Sequence, residues 1–182
     1  MNKLLNRYNN LLDNNNNYNN SYNIYLGKKI FDSGFYTNIN KRSFELCFKI
    51  IKNSNNYNNI KCKVYTKYIL DDKELIVLRD GSNYCLKITK DFNNIYNDNL
   101  FIDMKKKNRI KNDEFPSKFE YDNTILYEIL SFEYDKYNIN FSINYDEKFI
   151  NEIYIEIKDK NTIYNNISNI IEKFNNIIKE YQ

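Results

Sequence analysis

Apolar and polar residues alternate with period two through much of this chain, which is the signature of strands with two unlike faces. The clearest stretch is 138–145, where Ile139, Phe141, Ile143 and Tyr145 fall on one side and Asn138, Asn140, Ser142 and Asn144 on the other. In 152–158, Ile153, Ile155 and Ile157 oppose Glu152, Tyr154, Glu156 and Lys158. In 43–49, Phe44, Leu46 and Phe48 oppose Glu45, Cys47 and Lys49. Strands are expected at 43–51, 61–70, 74–79, 83–90, 123–134, 138–145 and 152–158. Asp71-Asp72-Lys73 and Asp80-Gly81-Ser82 have hairpin chemistry, so the strands from 61 to 90 should form an antiparallel meander.

The period changes at both ends. Leu4, Leu5, Tyr8, Leu11 and Leu12 fit a short N-terminal helix, followed by an Asn-rich loop from 13 to 20. At 162–181, Ile163, Ile167, Ile170, Ile171, Phe174, Ile177 and Ile178 make one helical stripe, with Glu172, Lys173, Lys179 and Glu180 off it. That stripe must dock on an apolar sheet face, and the isoleucine face of 152–158 is its expected partner. Residues 91–116 are irregular and carry the only proline, so a loop or short helix is expected there. The fold class is α+β: residues 1–40 form an N-terminal helix and loop, and 41–182 form one antiparallel β-barrel domain with its last helix packed outside. The ionisable faces of 43–49 and 152–158 then either meet solvent, as in a half-buried sheet, or line the lumen of a tunnel.

Composition narrows the chemistry by exclusion. The 182 residues suit one domain, and the net charge of +3 with pI near 8.5 permits an anionic ligand without demanding one. With no histidine, a His-dependent triad, His zinc site or His general base is excluded. Gly27, Gly34 and Gly81 are the only glycines, too few and too far apart for a P-loop or dinucleotide fingerprint. Cys47, Cys62 and Cys85 are odd in number and lie in apolar-alternating runs, so free thiols in a reducing compartment are expected. No run approaches the ~18 apolar residues of a membrane span. A soluble intracellular protein of nucleus or cytoplasm, cellular or viral, is expected, without a membrane partner. The abundance of Asn, Lys, Ile and Tyr points to an AT-rich genome rather than to a prion-like function.

An early Glu-bearing strand, a meander ending in a Lys-bearing strand, a later hairpin, a terminal strand with alternating carboxylates and a closing helix resemble the triphosphate tunnel metalloenzymes. The resemblance is to the metal-dependent RNA 5′-triphosphatases of mRNA capping. In that family two strands each contribute a Glu-x-Glu pair, and the four carboxylates hold a divalent metal that polarises the terminal phosphate while Lys and Arg neutralise the rest.

The resemblance implies Glu45 and Glu156 as catalytic residues and Glu45, Glu152 and Glu156 as ligands of Mg2+ or Mn2+. It implies Lys49, Lys87 and Lys158 as phosphate contacts, with triphosphate-ended RNA or a nucleoside triphosphate as substrate and a capping or transcription subunit as partner. The chain departs from the pattern at Ser43, Cys47 and Tyr154, where second carboxylates would stand, and at 127–132, which lacks the family's Arg and Lys. Two functions therefore stand side by side: a polyphosphate hydrolase releasing the terminal phosphate, and a catalytically silent tunnel protein serving as a binding or assembly module. A third, RNA binding by the basic run 105–111 with nearby Tyr96, Phe101 and Phe115, is weaker, because such a charge run is more often a solvated loop than a binding patch.

Overall fold

The computed structural model describes residues 20–30, 34–90, 95–96, 100–110, 123–145, 149–158 and 165–181. Its strands are β1 (Asn20–Leu26), β2 (Lys28–Ile30), β3 (Gly34–Tyr36), β4 (Asn59–Leu70), β5 (Lys73–Leu78) and β6 (Asn83–Lys90). They continue with β7 (Ile95–Tyr96), β8 (Leu100–Ile110), β9 (Asn123–Glu133), β10 (Tyr137–Tyr145) and β11 (Phe149–Ile157). Two helices are described, α1 (Lys41–Ser54) and α2 (Asn165–Tyr181). The expected helix at 1–12 lies outside the described residues.

The strands pair antiparallel in the order β1-β11-β10-β9-β4-β5-β6-β8, and β8 pairs in turn with β1, which brings the wall back to its start. β7 adds two residues beside β8, and β2–β3 form a separate hairpin. The meander of 61–90 is present as expected. Asp71 adopts φ 51° at the first turn, and Gly81 sits at φ 83° in the second, where Asp80 accepts from the backbone and hydroxyl of Ser82. Those two bonds hold the Asp80 carboxyl below its ordinary range.

The outer face of the wall is the core. Ile24, Leu26, Phe132, Ile139, Phe141, Ile153, Ile155 and Ile157 pack against Cys47 and Ile51 of α1 and Ile167, Ile171, Phe174 and Ile178 of α2. Phe141 meets the edges of Phe44, Phe48 and Phe174 at 5.4, 5.4 and 6.2 Å, so both helices touch one ring. The isoleucine stripe of the last helix docks on the 153–157 face, as its periodicity predicts.

Three expectations change. The 43–49 segment is helical, because a seven-residue window mistakes one period for another: extended to residue 51, Ser43, Cys47 and Ile51 recur every four residues on one buried face. Asn40 caps the helix by accepting from Ser43 N at 2.9 Å, and Asn55, at φ 51°, ends it. Second, the stretch expected to be a loop or short helix contains β8, whose pattern alone is poor but whose backbone finds partners on both sides, in β1 and β6. Third, the wall begins at β1, within the segment assigned to the N-terminal region, so the barrel starts ahead of residue 41.

The route from β1 to α1 passes over the end of β11. A side chain at Gly27 would collide with the Tyr36 carbonyl, so glycine allows the β2–β3 hairpin to fold back there. Asn38 and Ile39 then bond to the backbone of Asn151 at 3.1 and 2.8 Å.

Candidate functional site in the tunnel lumen

Because side chains alternate, each strand that buries one row outward directs the next row into the lumen, a cavity of about 230 Å³. β11 contributes Glu152, Tyr154 and Glu156; β10 contributes Asn140 and Ser142; β1 contributes Asn23 and Tyr25. On the opposite wall stand Lys63, Tyr65 and Lys67 of β4, Glu74 of β5, Tyr84 of β6, and Tyr127 and Ser131 of β9.

Register fixes who faces whom. Asn23 and Asn138 flank Glu156 from its two neighbouring strands, and Asn138 donates to it at 3.0 Å. Tyr25 lies beside Tyr154 and stacks on it at 5.0 Å, while Tyr65 stacks on Tyr127 at 5.3 Å. Glu152 accepts from the Thr37 hydroxyl at 2.5 Å. Lys67 pairs with Glu74 at 3.5 Å and lies 4.7 Å from the Tyr127 ring centroid, so its charge is largely compensated within the lumen. Burial, then the nearby Tyr65, Glu156 and Glu152, holds the Tyr154 phenol well above its ordinary pKa. Burial and Tyr127 act the same way on Tyr65. Both phenols are therefore neutral donors rather than anionic ligands.

Of the residues singled out by the sequence, the fold brings Glu152 and Glu156 into this lumen and leaves the rest outside. Glu45 and Lys49 are on the exposed face of α1; the Glu45 side chain is 53% exposed and lies 3.9 Å from Lys41, one helical turn away. Their exclusion follows from the helical period of 41–54. Lys87 alternates with the lumen-lining Leu86, faces outward and pairs with Asp72 at 3.6 Å. Lys158 follows β11, is exposed and donates to the Tyr134 carbonyl at 2.7 Å. The basic run 105–111 falls mostly in β8 rather than in a loop.

Two groups of lumen residues escaped the sequence. Lys63, Tyr65 and Lys67 alternate inside an expected strand and were legible by parity. Asn23 and Tyr25 were hidden in Asn-rich surroundings, with Ile24 and Leu26 as the only apolar signal.

The described donors do not fit a divalent ion held by carboxylates. Glu152 and Glu156 are four residues apart on one strand, roughly 13 Å between Cα atoms, with Tyr154 between them. Glu74 is engaged by Lys67. Among the described residues no three acidic or thiol groups converge as a metal site. Oxygen ligands must reach within about 2.0–2.6 Å of one ion, which two separated carboxylates do not achieve.

A strand wall with a polar, charged lumen and helices on its outside defines a tunnel-like α+β fold. Among solved structures, the chain is similar to the RNA triphosphatase Pct1 of S. pombe, with 8% identity, a TM-score of 0.73, and 97% of this chain and 91% of that one covered. Pct1 in complex with the Spt5 CTD aligns with a TM-score of 0.72 at 9% identity over 97% of this chain and 91% of that one. The Mimivirus capping enzyme triphosphatase aligns with a TM-score of 0.67 at 12% identity, covering 95% and 96%. At these identities the likeness establishes the fold. No protein-family model and no curated protein sequence matches the chain. Among the described residues no helix is long and apolar enough to cross a membrane.

Proposed function

We propose that this chain is a catalytically silent tunnel-fold protein that serves as a binding or assembly module in a transcription or capping complex. One observation carries this choice over the hydrolase: the strand beside Glu-bearing β11 offers Asn23 and Tyr25 where the family's chemistry calls for a carboxylate pair. An amide and a protonated phenol supply no negative charge to a divalent ion, and Tyr154 removes a further carboxylate from β11 itself. The carboxylate set that would hold the ion in such tunnels is then incomplete among the described residues. The shared fold of RNA triphosphatases supports the setting, and the S. pombe relative in complex with the Spt5 CTD supports a protein partner from the transcription machinery.

The test is phosphate release from triphosphate-ended RNA and from ATP, with Mg2+ or Mn2+ added. Release equal to the protein-free control is expected. Metal-dependent release that disappears in Glu156→Gln would establish the hydrolase instead.

A further inference from the structure

The lumen polar groups that lack a partner are neutral and deeply buried. Asn140 is 2% exposed and Ser142 1%, and both line the cavity with a side-chain atom, Nδ2 and Oγ respectively, that has no hydrogen-bond partner among the described residues. Asn23, 8% exposed, directs an unpartnered Oδ1 into the same space. An unsatisfied buried donor or acceptor is costly, so three of them around one cavity mark a place where something polar sits. Of the charges in the lining, Lys67 is paired with Glu74, Glu156 accepts from Asn138 and Glu152 accepts from Thr37, while Lys63 is exposed at the margin.

What the lumen leaves open is thus one donor, one acceptor and one hydroxyl that can be either, beside the ring faces of two stacked tyrosine pairs. A nucleobase has that complementarity: a flat π-face to extend a stack, and an edge that alternates donors and acceptors.

We infer that the lumen binds a nucleobase, stacked on the tyrosines and read at its edge by Asn23, Asn140 and Ser142. This inference rests on the silent-tunnel function and turns its cavity from polyphosphate towards a neutral ligand. Lys63, an exposed cation of the cavity lining, is available to a phosphate of a nucleotide at an RNA end.

Titration of the full chain with adenosine, guanosine, cytidine and uridine, with short 5′-hydroxyl RNAs and with tripolyphosphate tests it by thermal shift and tyrosine fluorescence, free of tryptophan signal. Saturable binding of at least one nucleoside is expected, with tripolyphosphate failing to compete. Tighter binding of the RNAs would identify an RNA end as the source of the base, and equal binding a free nucleoside. Ser142→Ala should weaken binding about tenfold while Tm holds or rises, because it removes an orphaned buried hydroxyl; Asn140→Ala should weaken binding as much but lower Tm, because Asn140 Oδ1 accepts from the buried Ser131 hydroxyl.

Absence of nucleoside binding overturns the inference, as does preference for tripolyphosphate. A Tm that falls in Ser142→Ala without any ligand effect would assign the cavity to ordered water only. Phosphate release measured on the same sample keeps the two claims apart: release defeats the silent function, whereas silent protein that ignores nucleosides defeats the nucleobase alone.

Discussion

The two faces of the same wall follow opposite rules. Outside, Ile153, Ile155 and Ile157 meet the aliphatic and aromatic stripe of α2 in a conventional close-packed core. Inside, one residue along each time, Glu152, Tyr154 and Glu156 meet amides, hydroxyls and phenols, and several polar atoms lack partners among the described residues. Most apolar packing therefore lies on the outside, and the lumen carries the polar and partly unsatisfied groups.

The largest effect should come from the outer face. Phe174 is fully buried against Phe141, so Phe174→Ala is expected to cost about 3–5 kcal/mol, read by urea unfolding. A loss as small as that of a surface substitution would mean that the helix is not part of the core.

The tyrosine layer should set the alkaline limit. Tyr154 and Tyr65 ionise near pH 10 in the unfolded chain and well above it in the fold. Above pH 10 the unfolded state sheds protons that the folded state keeps, so the stability these phenols contribute is fully present below pH 10 and declines as pH rises beyond it. Absorbance of phenolate near 295 nm should show a group of tyrosines that titrates only with unfolding. Titration of every tyrosine near pH 10 with the fold intact would break the contrast between a buried polar layer and a solvated channel.

Thiol chemistry separates the helix–wall seam from the surface at smaller energetic cost. Cys62 of β4 is exposed, whereas Cys47 is on the buried face of α1 and burial pushes its thiol up to about 12. Iodoacetamide at neutral pH should label Cys62 promptly and Cys47 only on unfolding, as peptide mass mapping would report; prompt labelling of Cys47 would show that α1 opens from the wall. The smallest effect belongs to Glu45. Glu45→Gln removes only an exposed pair with Lys41 and should shift stability by at most about 0.5 kcal/mol. A larger change, or loss of a ligand signal, would place this side chain somewhere other than the solvent face of α1.

Much of the wall was legible because period-two alternation survives any tertiary arrangement. The stretch 138–145 reads the same in the chain and in β10, and the stripe of α2 demands a sheet face wherever that face lies. Glu152 and Glu156 were found in the lumen for the same reason: their strand has only two faces, and isoleucine claims one of them.

Parity, however, says which residues share a face and not which faces meet. The identity of the strand beside β11 could be decided only by closure of the wall, and closure selected Asn20–Leu26, a stretch with little propensity of its own that gains hydrogen bonds from β8 and β11 at once. The 43–49 segment fitted both periods over its short length, and docking against α2 favoured the helix by burying Ser43, Cys47 and Ile51 together. The amino-acid order determined the two-faced strands and the apolar stripe of the last helix, because local periodicity is a property of the chain alone. Tertiary structure decided that an amide and a phenol, rather than two carboxylates, face Glu156 and Tyr154, because strand neighbours are chosen by long-range hydrogen bonding that no local pattern encodes.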